Sequence, residues 1–248
     1  MITINFAFGF TRKLGLVCAL ALIPVTAFGG GSTQAPSIVR GNQHIIIGIT
    51  LDEAAVRAAL PAGLEPAEGM TGGLNVYTSQ GSDTVAPYTR SYVWVDFAGH
   101  DSVTGSKGRF VLWVADSGDT AAMAHLGYQG VHGTTALSRD GKSMTGTATV
   151  DGKDILKVQI AIGDDPCGEA AGSLNYPSRM DGAGPMVLTQ YVWSAEAVCG
   201  ATPVSADIMV DGGHPLAKFT PTSLNWAVFG DQLSVGRSPM FTLEAKGN

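Results

Sequence analysis

Residues 134–162 read TTALSRDGKSMTGTATVDGKDILKVQIAI, and the two Asp-Gly pairs in this stretch, Asp140-Gly141 and Asp151-Gly152, decide the fold class. Asp and Gly tolerate the left-handed backbone that the tightest antiparallel turns require. An Asp-Gly pair between alternating runs is therefore a strong local hairpin signal. The flanking runs, Thr134–Ser138, Ser143–Val150 and Asp154–Ile162, are read as a three-stranded antiparallel meander. In the third run Leu156, Val158 and Ile160 share one face and Lys157, Gln159 and Ala161 the other.

Upstream, His44–Ile49 reads as a buried strand, and Gly73–Thr78, Tyr88–Phe97 and Arg109–Ala115 as further strands. Thr50-Leu51-Asp52-Glu53 has the spacing of a capping box, in which a hydroxyl and a carboxylate three residues on satisfy orphan backbone donors. It opens a helix over Leu51–Leu60 that Pro61-Ala62-Gly63 stops. A second short helix is expected from about Asp119 to Leu126, capped by Ser117 or Asp119. Downstream, Gly163–Pro185 reads as a long Gly-, Asp- and Pro-rich loop. Met186–Ala197, Ala206–Val210, Ser223–Phe229 and Phe241–Ala245 read as the last strands. The expected class is α+β, mainly β: a curved antiparallel sheet or a closed barrel or cone, with two short helices.

The chain opens with a different kind of segment. Arg12 and Lys13 precede an apolar run from Leu14 to Phe28, and Gly29-Gly30-Gly31-Ser32-Thr33 breaks any helix. This is the charge, apolar and small-residue order of a secretory signal peptide, with cleavage after Gly29 or Ala35. A spanning helix wants about 20 apolar residues, and Pro24 interrupts this run. A lipoprotein would need a small residue before Cys18, where Val17 stands. Residues 1–29 are thus read as a signal peptide, 30–42 as a linker and 43–248 as one β-rich domain, secreted or periplasmic and without a membrane partner after cleavage.

Loss of the leader removes Cys18 and leaves Cys167 and Cys199. In an oxidising compartment such a pair is read as a disulfide, worth about 3–4 kcal/mol on the chain-entropy model; the alternative is two buried thiols. A net charge of −6 and the lack of any basic cluster argue against nucleic acid. With 45% hydrophobic residues the chain has ample material for a core. No Cys/His cluster suggests a metal, and the sequence calls for no cofactor. His125 and His132 alone among the five histidines fall close together.

The run Tyr88-Thr89-Arg90-Ser91-Tyr92-Val93-Trp94-Val95-Asp96 is the chemically loaded strand. Alternation puts Tyr88, Arg90, Tyr92, Trp94 and Asp96 on one face. That face is either solvated or lines a cavity in which an arginine binds an anion among aromatic rings.

Leu51-Asp52-Glu53-Ala54-Ala55-Val56-Arg57-Ala58-Ala59-Leu60-Pro61-Ala62-Gly63-Leu64-Glu65-Pro66 resembles an early segment of the acetoacetate decarboxylase-like family, a helix ending in Leu-Pro-x-Gly-Leu. Tyr88-Thr89-Arg90 resembles its Tyr-x-Glu strand, Ala121 to Gly130 the helix and glycine before its catalytic loop, and His214-Pro215-Leu216 its late His-Pro-Leu segment. The resemblance spans roughly residues 43 to 243 and implies a closed cone or barrel around an apolar cavity. It also implies a Schiff-base lysine in a Gly-aromatic-Pro-Lys loop, whose amine is activated by an apolar site and a neighbouring cation. This chain has Gly130-Val131-His132-Gly133-Thr134 there and Arg90 in place of the glutamate. Two expectations follow. One is a protein that binds a small carboxylate or carbonyl compound, with Arg90 as anion partner and Tyr88 and His132 as polar contacts. The other is a divergent lyase that uses a relocated lysine, Lys157 foremost, or His132 as general acid–base.

Overall fold

A computed structural model describes residues 37–82, 85–118, 127–179 and 184–242. The signal peptide, most of the linker and the second helix expected over 119–126 lie outside the described residues. The linker reading is corrected at its C-terminal end: residues 37–42 belong to the first strand.

The strands are β1 Ser37–Thr50, β2 Thr71–Ser79, β3 Tyr88–Phe97, β4 Gly108–Asp116, β5 Gly130–His132, β6 Thr134–Asp140, β7 Ser143–Val150, β8 Lys153–Ile162, β9 Gly168–Arg179, β10 Met186–Ile208 and β11 Ser223–Thr242. The single α-helix among the described residues is α1, Glu53–Ala59, and a 3-10 turn spans Pro215–Phe219. Hydrogen-bonded neighbours run β5-β4-β3-β2-β1-β11-β10-β8-β7-β6, with β9 also paired to β10.

The sheet is curved and not closed, which corrects the expectation of a barrel or cone. Its two ends, β5 and β6, are consecutive in the chain and carry no ladder between them. The seam is held by isolated bonds: Gly133 N–H to Asp116 C=O at 3.0 Å, and Thr135 N–H to Thr89 Oγ1 at 2.8 Å.

The meander forms as its turns require. Val150 pairs with Lys153 across Asp151 and Gly152, both at positive φ (49° and 72°), the geometry in which strand twist and turn twist agree. Met144, Ala148, Leu156, Val158 and Ile160 then fall on one face and pack with Ile45, Ile47 and Ile49 of β1 in the main core. Burying each of the larger side chains contributes about 1.5–3 kcal/mol.

Local readings fail in three places, each for a tertiary reason. The helix is capped by Asp52, whose Oδ1 accepts from Ala55 N–H at 2.9 Å, and not by Thr50. Thr50 is held as the last residue of β1, paired with both Ser223 and Thr71. The expected loop 163–185 contains β9, a Gly- and Ala-rich strand of poor intrinsic propensity that forms by pairing with β10. The segments read as four late strands are two long ones. β10 continues through Pro203, which lacks an N–H and sits at a register shift, where none is needed.

The Cys167–Cys199 disulfide forms. Cys199 lies where β10 leaves β9 and begins to pair with β8, and Cys167 immediately precedes β9. The crosslink thus fixes the point where one strand changes partners. No helix among the described residues is long and apolar enough to cross a membrane.

Candidate functional site

The face of the sheet opposite the main core encloses a cavity of about 340 Å³ lined from β1, β2, β3, β4, β9, β10 and β11. Simple alternation does not predict its lining, because bulges switch the faces. β4 carries an extra residue opposite Val93/Trp94, so Arg109 and Val111 face the cavity before it and Val114 after it. β11 carries another near Asp231-Gln232, which lets Val228 and Gly230 and then Leu233, Val235 and Arg237 all line it. Bulges re-aim side chains in this way at functional surfaces.

Tyr88, Arg90 and Tyr92 of β3 line this cavity, while Ser91, Val93, Val95 and Phe97 are buried on the other face. Arg90 Nε pairs with Asp116, which is 1% exposed, and Gly118 N–H donates to the same carboxylate at 2.5 Å. The guanidinium lies 4.9 Å from the Tyr88 ring centre and 5.9 Å from that of Tyr77. Burial opposes its charge, but Tyr77, Tyr88 and Asp116 outweigh burial and hold its pKa well above the ordinary arginine value. Asp116 engages Nε, one of the five guanidinium donors.

Two further arginines line the cavity. Arg109 stacks 4.4 Å from the Trp94 ring centre; burial opposes its charge, and Tyr176, Tyr92 and Asp96 sustain it. Arg237 is buried, and its charge bears on Tyr191 and Tyr128. Tyr77, Tyr128, Tyr176 and Tyr191 have their pKa values raised, by burial above all, so they remain neutral donors.

A polar chain crosses the wall between them. His44 stacks on Tyr77 with ring centres 4.3 Å apart and planes 3° from parallel. Its Nδ1 lies 3.0 Å from Asn75 Oδ1, Asn75 Nδ2 donates to Tyr92 OH at 2.8 Å, and Tyr92 OH lies 3.1 Å from Tyr176 OH. Burial pushes the imidazole pKa down to about 4 against the opposing Asn75 bond, so His44 is neutral.

The sequence-derived candidates divide. Tyr88 and Arg90 line the cavity. His132 and Lys157 do not: His132 is exposed on the edge strand β5, and Lys157 is exposed on the outer face of β8, opposite the buried Leu156 and Val158. All five described lysines, Lys107, Lys142, Lys153, Lys157 and Lys218, are exposed. His214 accepts from Leu216 N–H through Nδ1 at 3.1 Å and so caps the 3-10 turn. Asn42, His44, Arg109 and Arg237 escaped sequence reading. The one available signal was His44 as the polar residue that opens the otherwise apolar run Ile45–Ile49.

No family model matches the chain, and no curated protein matches its sequence. Solved structures do. An acetoacetate decarboxylase from Legionella pneumophila superposes with a TM-score of 0.71 at 12% identity, over 96% of this chain and 99% of that one. Another acetoacetate decarboxylase gives 0.69 at 13% identity, over 87% and 92%. The enduracididine biosynthesis enzyme MppR complexed with pyruvate gives 0.67 at 13%, over 87% and 93%. Coverage and superposition agree: this chain has the acetoacetate decarboxylase-like fold.

Proposed function

We propose that this is an exported protein that binds a small carboxylate or carbonyl compound in the arginine- and tyrosine-lined cavity, without a Schiff-base lysine. The observation that carries the reading is the cavity's chemistry: Arg90, Arg109 and Arg237 line it, and every described lysine is exposed. Arginine's planar fork matches a carboxylate bidentately, and a low-dielectric wall strengthens that pairing. The neutral tyrosines add O–H donors. Valine, leucine and aromatic side chains supply the apolar remainder that such pockets use for affinity. One similar structure is an enzyme complexed with pyruvate, a small carboxylate, which supports a cavity of this fold accepting one. Export is compatible with the Cys167–Cys199 disulfide and is expected from the leader over 1–29.

A lyase with a relocated lysine or with His132 draws less support. An iminium needs an unprotonated amine beside the substrate carbonyl, and Lys157 and His132 both lie outside the cavity lining. Borohydride reduction of the mature protein in the presence of pyruvate or acetoacetate, read by intact mass beside a Schiff-base enzyme as control, is expected to give no adduct. A reduced adduct mapped to one lysine would overturn the proposal and install the lyase.

A further inference from the structure

Arg109 is a half-buried guanidinium on the cavity wall, and it lacks what Arg90 has. Arg90 is paired with Asp116. Among the described residues, no Asp or Glu lies within ion-pair distance of Arg109. Its cross-strand neighbour Asp96 acts on it only at longer range and is spent elsewhere: Oδ2 accepts from Thr71 Oγ1 at 2.9 Å and Oδ1 from Trp94 Nε1 at 3.0 Å. The second of these bonds fixes the indole over which the guanidinium lies. The donors beside it are in surplus. Tyr92 OH accepts from Asn75 Nδ2, Tyr176 OH accepts from Arg109, and the two hydroxyls lie 3.1 Å apart. Their mutual bond uses one of two hydroxyl protons, and the other has no acceptor among the described residues. Arg109 and Tyr92 are half-buried and line the cavity, so the seat opens onto it. A cation without an acid beside an O–H without an acceptor is a combination that an anion completes.

We infer that the ligand of this cavity is a dicarboxylate, with one carboxylate at Arg90 and the second at Arg109 and the spare tyrosine proton. The inference rests on the carboxylate reading above and adds a second, separate anion seat. One group does not serve both arginines. The Arg90 guanidinium lies against Tyr88 and Tyr77, and that of Arg109 against Trp94. Same-face positions on a strand are about 7 Å apart, so Trp94 stands two steps along β3 from Arg90, with Tyr92 between them. Val111, Val114, Leu174 and Val228 line the same cavity and suit an apolar spacer joining the two ends. A neutral hydroxyl or amide at the second seat would leave the guanidinium's charge unmatched.

The test titrates the mature protein calorimetrically, in chloride-free buffer, with succinate, glutarate and adipate, each beside its own monoamide. The monoamide keeps the length and shape of the diacid and removes one negative charge. At least one diacid is expected to bind about tenfold or more tighter than its monoamide. In Arg109→Gln that preference is expected to shrink to about threefold or less. This substitution strands no acid and is expected to stay folded, and the comparison of diacid with monoamide in the unaltered protein stands whether or not it does. Diacids that bind no tighter than their monoamides, or a preference that survives in Arg109→Gln, overturn the inference while the carboxylate reading stands. Binding of none of the six also overturns it, and phenylacetate, a monoacid, then tests the carboxylate reading by itself.

Discussion

Arg90→Ala is expected to cost about 3–5 kcal/mol of stability and to reduce carboxylate affinity at least a hundredfold, because one substitution removes both the ligand's ion partner and the partner of a buried acid. Asp116 is 1% exposed and otherwise receives one backbone N–H, from Gly118. Taking away the guanidinium leaves a carboxylate in the interior with most of its solvation unreplaced. The two losses separate in a double variant. Arg90→Ala with Asp116→Asn neutralises the stranded acid and is expected to recover much of the stability and none of the binding. Arg90→Lys keeps the charge but not the fork, and is expected to stay folded with affinity lowered at least tenfold. Urea unfolding and calorimetry check the set. A single Arg90→Ala variant as stable as the parent would show that Asp116 has no need of its partner.

Acid is expected to weaken the fold well before carboxylates are protonated. His44 has a folded pKa of about 4 against an unfolded value of 6.5, so between these the unfolded chain binds the proton that the folded chain refuses. Stability is therefore complete above about pH 6.5 and falls as the pH drops toward 4. The full loss from this one residue is about 3 kcal/mol. Urea midpoints from pH 7.5 down to 4.5 read this directly, and His44→Phe is expected to flatten most of the slope. An unchanged slope in that variant would remove His44 as its origin. The acid sensitivity has one physical cause, burial of the imidazole between Tyr77 and Asn75.

How much of this was legible in the sequence varies with how local its cause is. Asp151-Gly152 announces its hairpin because two adjacent residues set the turn, and Tyr88–Phe97 is read to the residue because alternation and β-rich composition agree along it. β9 was illegible because Gly168 to Ala171 carry little strand preference and order only against β10. The site is harder still. Arg90 was found because it interrupts an aromatic strand, whereas Arg109 and Arg237 reach the cavity only through bulges in β4 and β11 that no periodicity encodes. His132 drew attention through its place in a resembling loop, yet a residue on an edge strand three residues long projects to solvent. The open end of the sheet belongs to the same class: closure depends on whether β5 and β6 meet, which only the assembled curvature decides.

Recognition of the anion itself is tested most directly by titrating the mature protein with phenylacetate and with phenylacetamide, its neutral isostere, at two salt concentrations. Phenylacetate is expected to bind, with an affinity modestly lowered by salt because the ion pair is largely buried, and phenylacetamide to bind at least a hundredfold more weakly. Equal affinity for the acid and the amide would contradict the account, since the three arginines would then contribute nothing that a neutral wall could not.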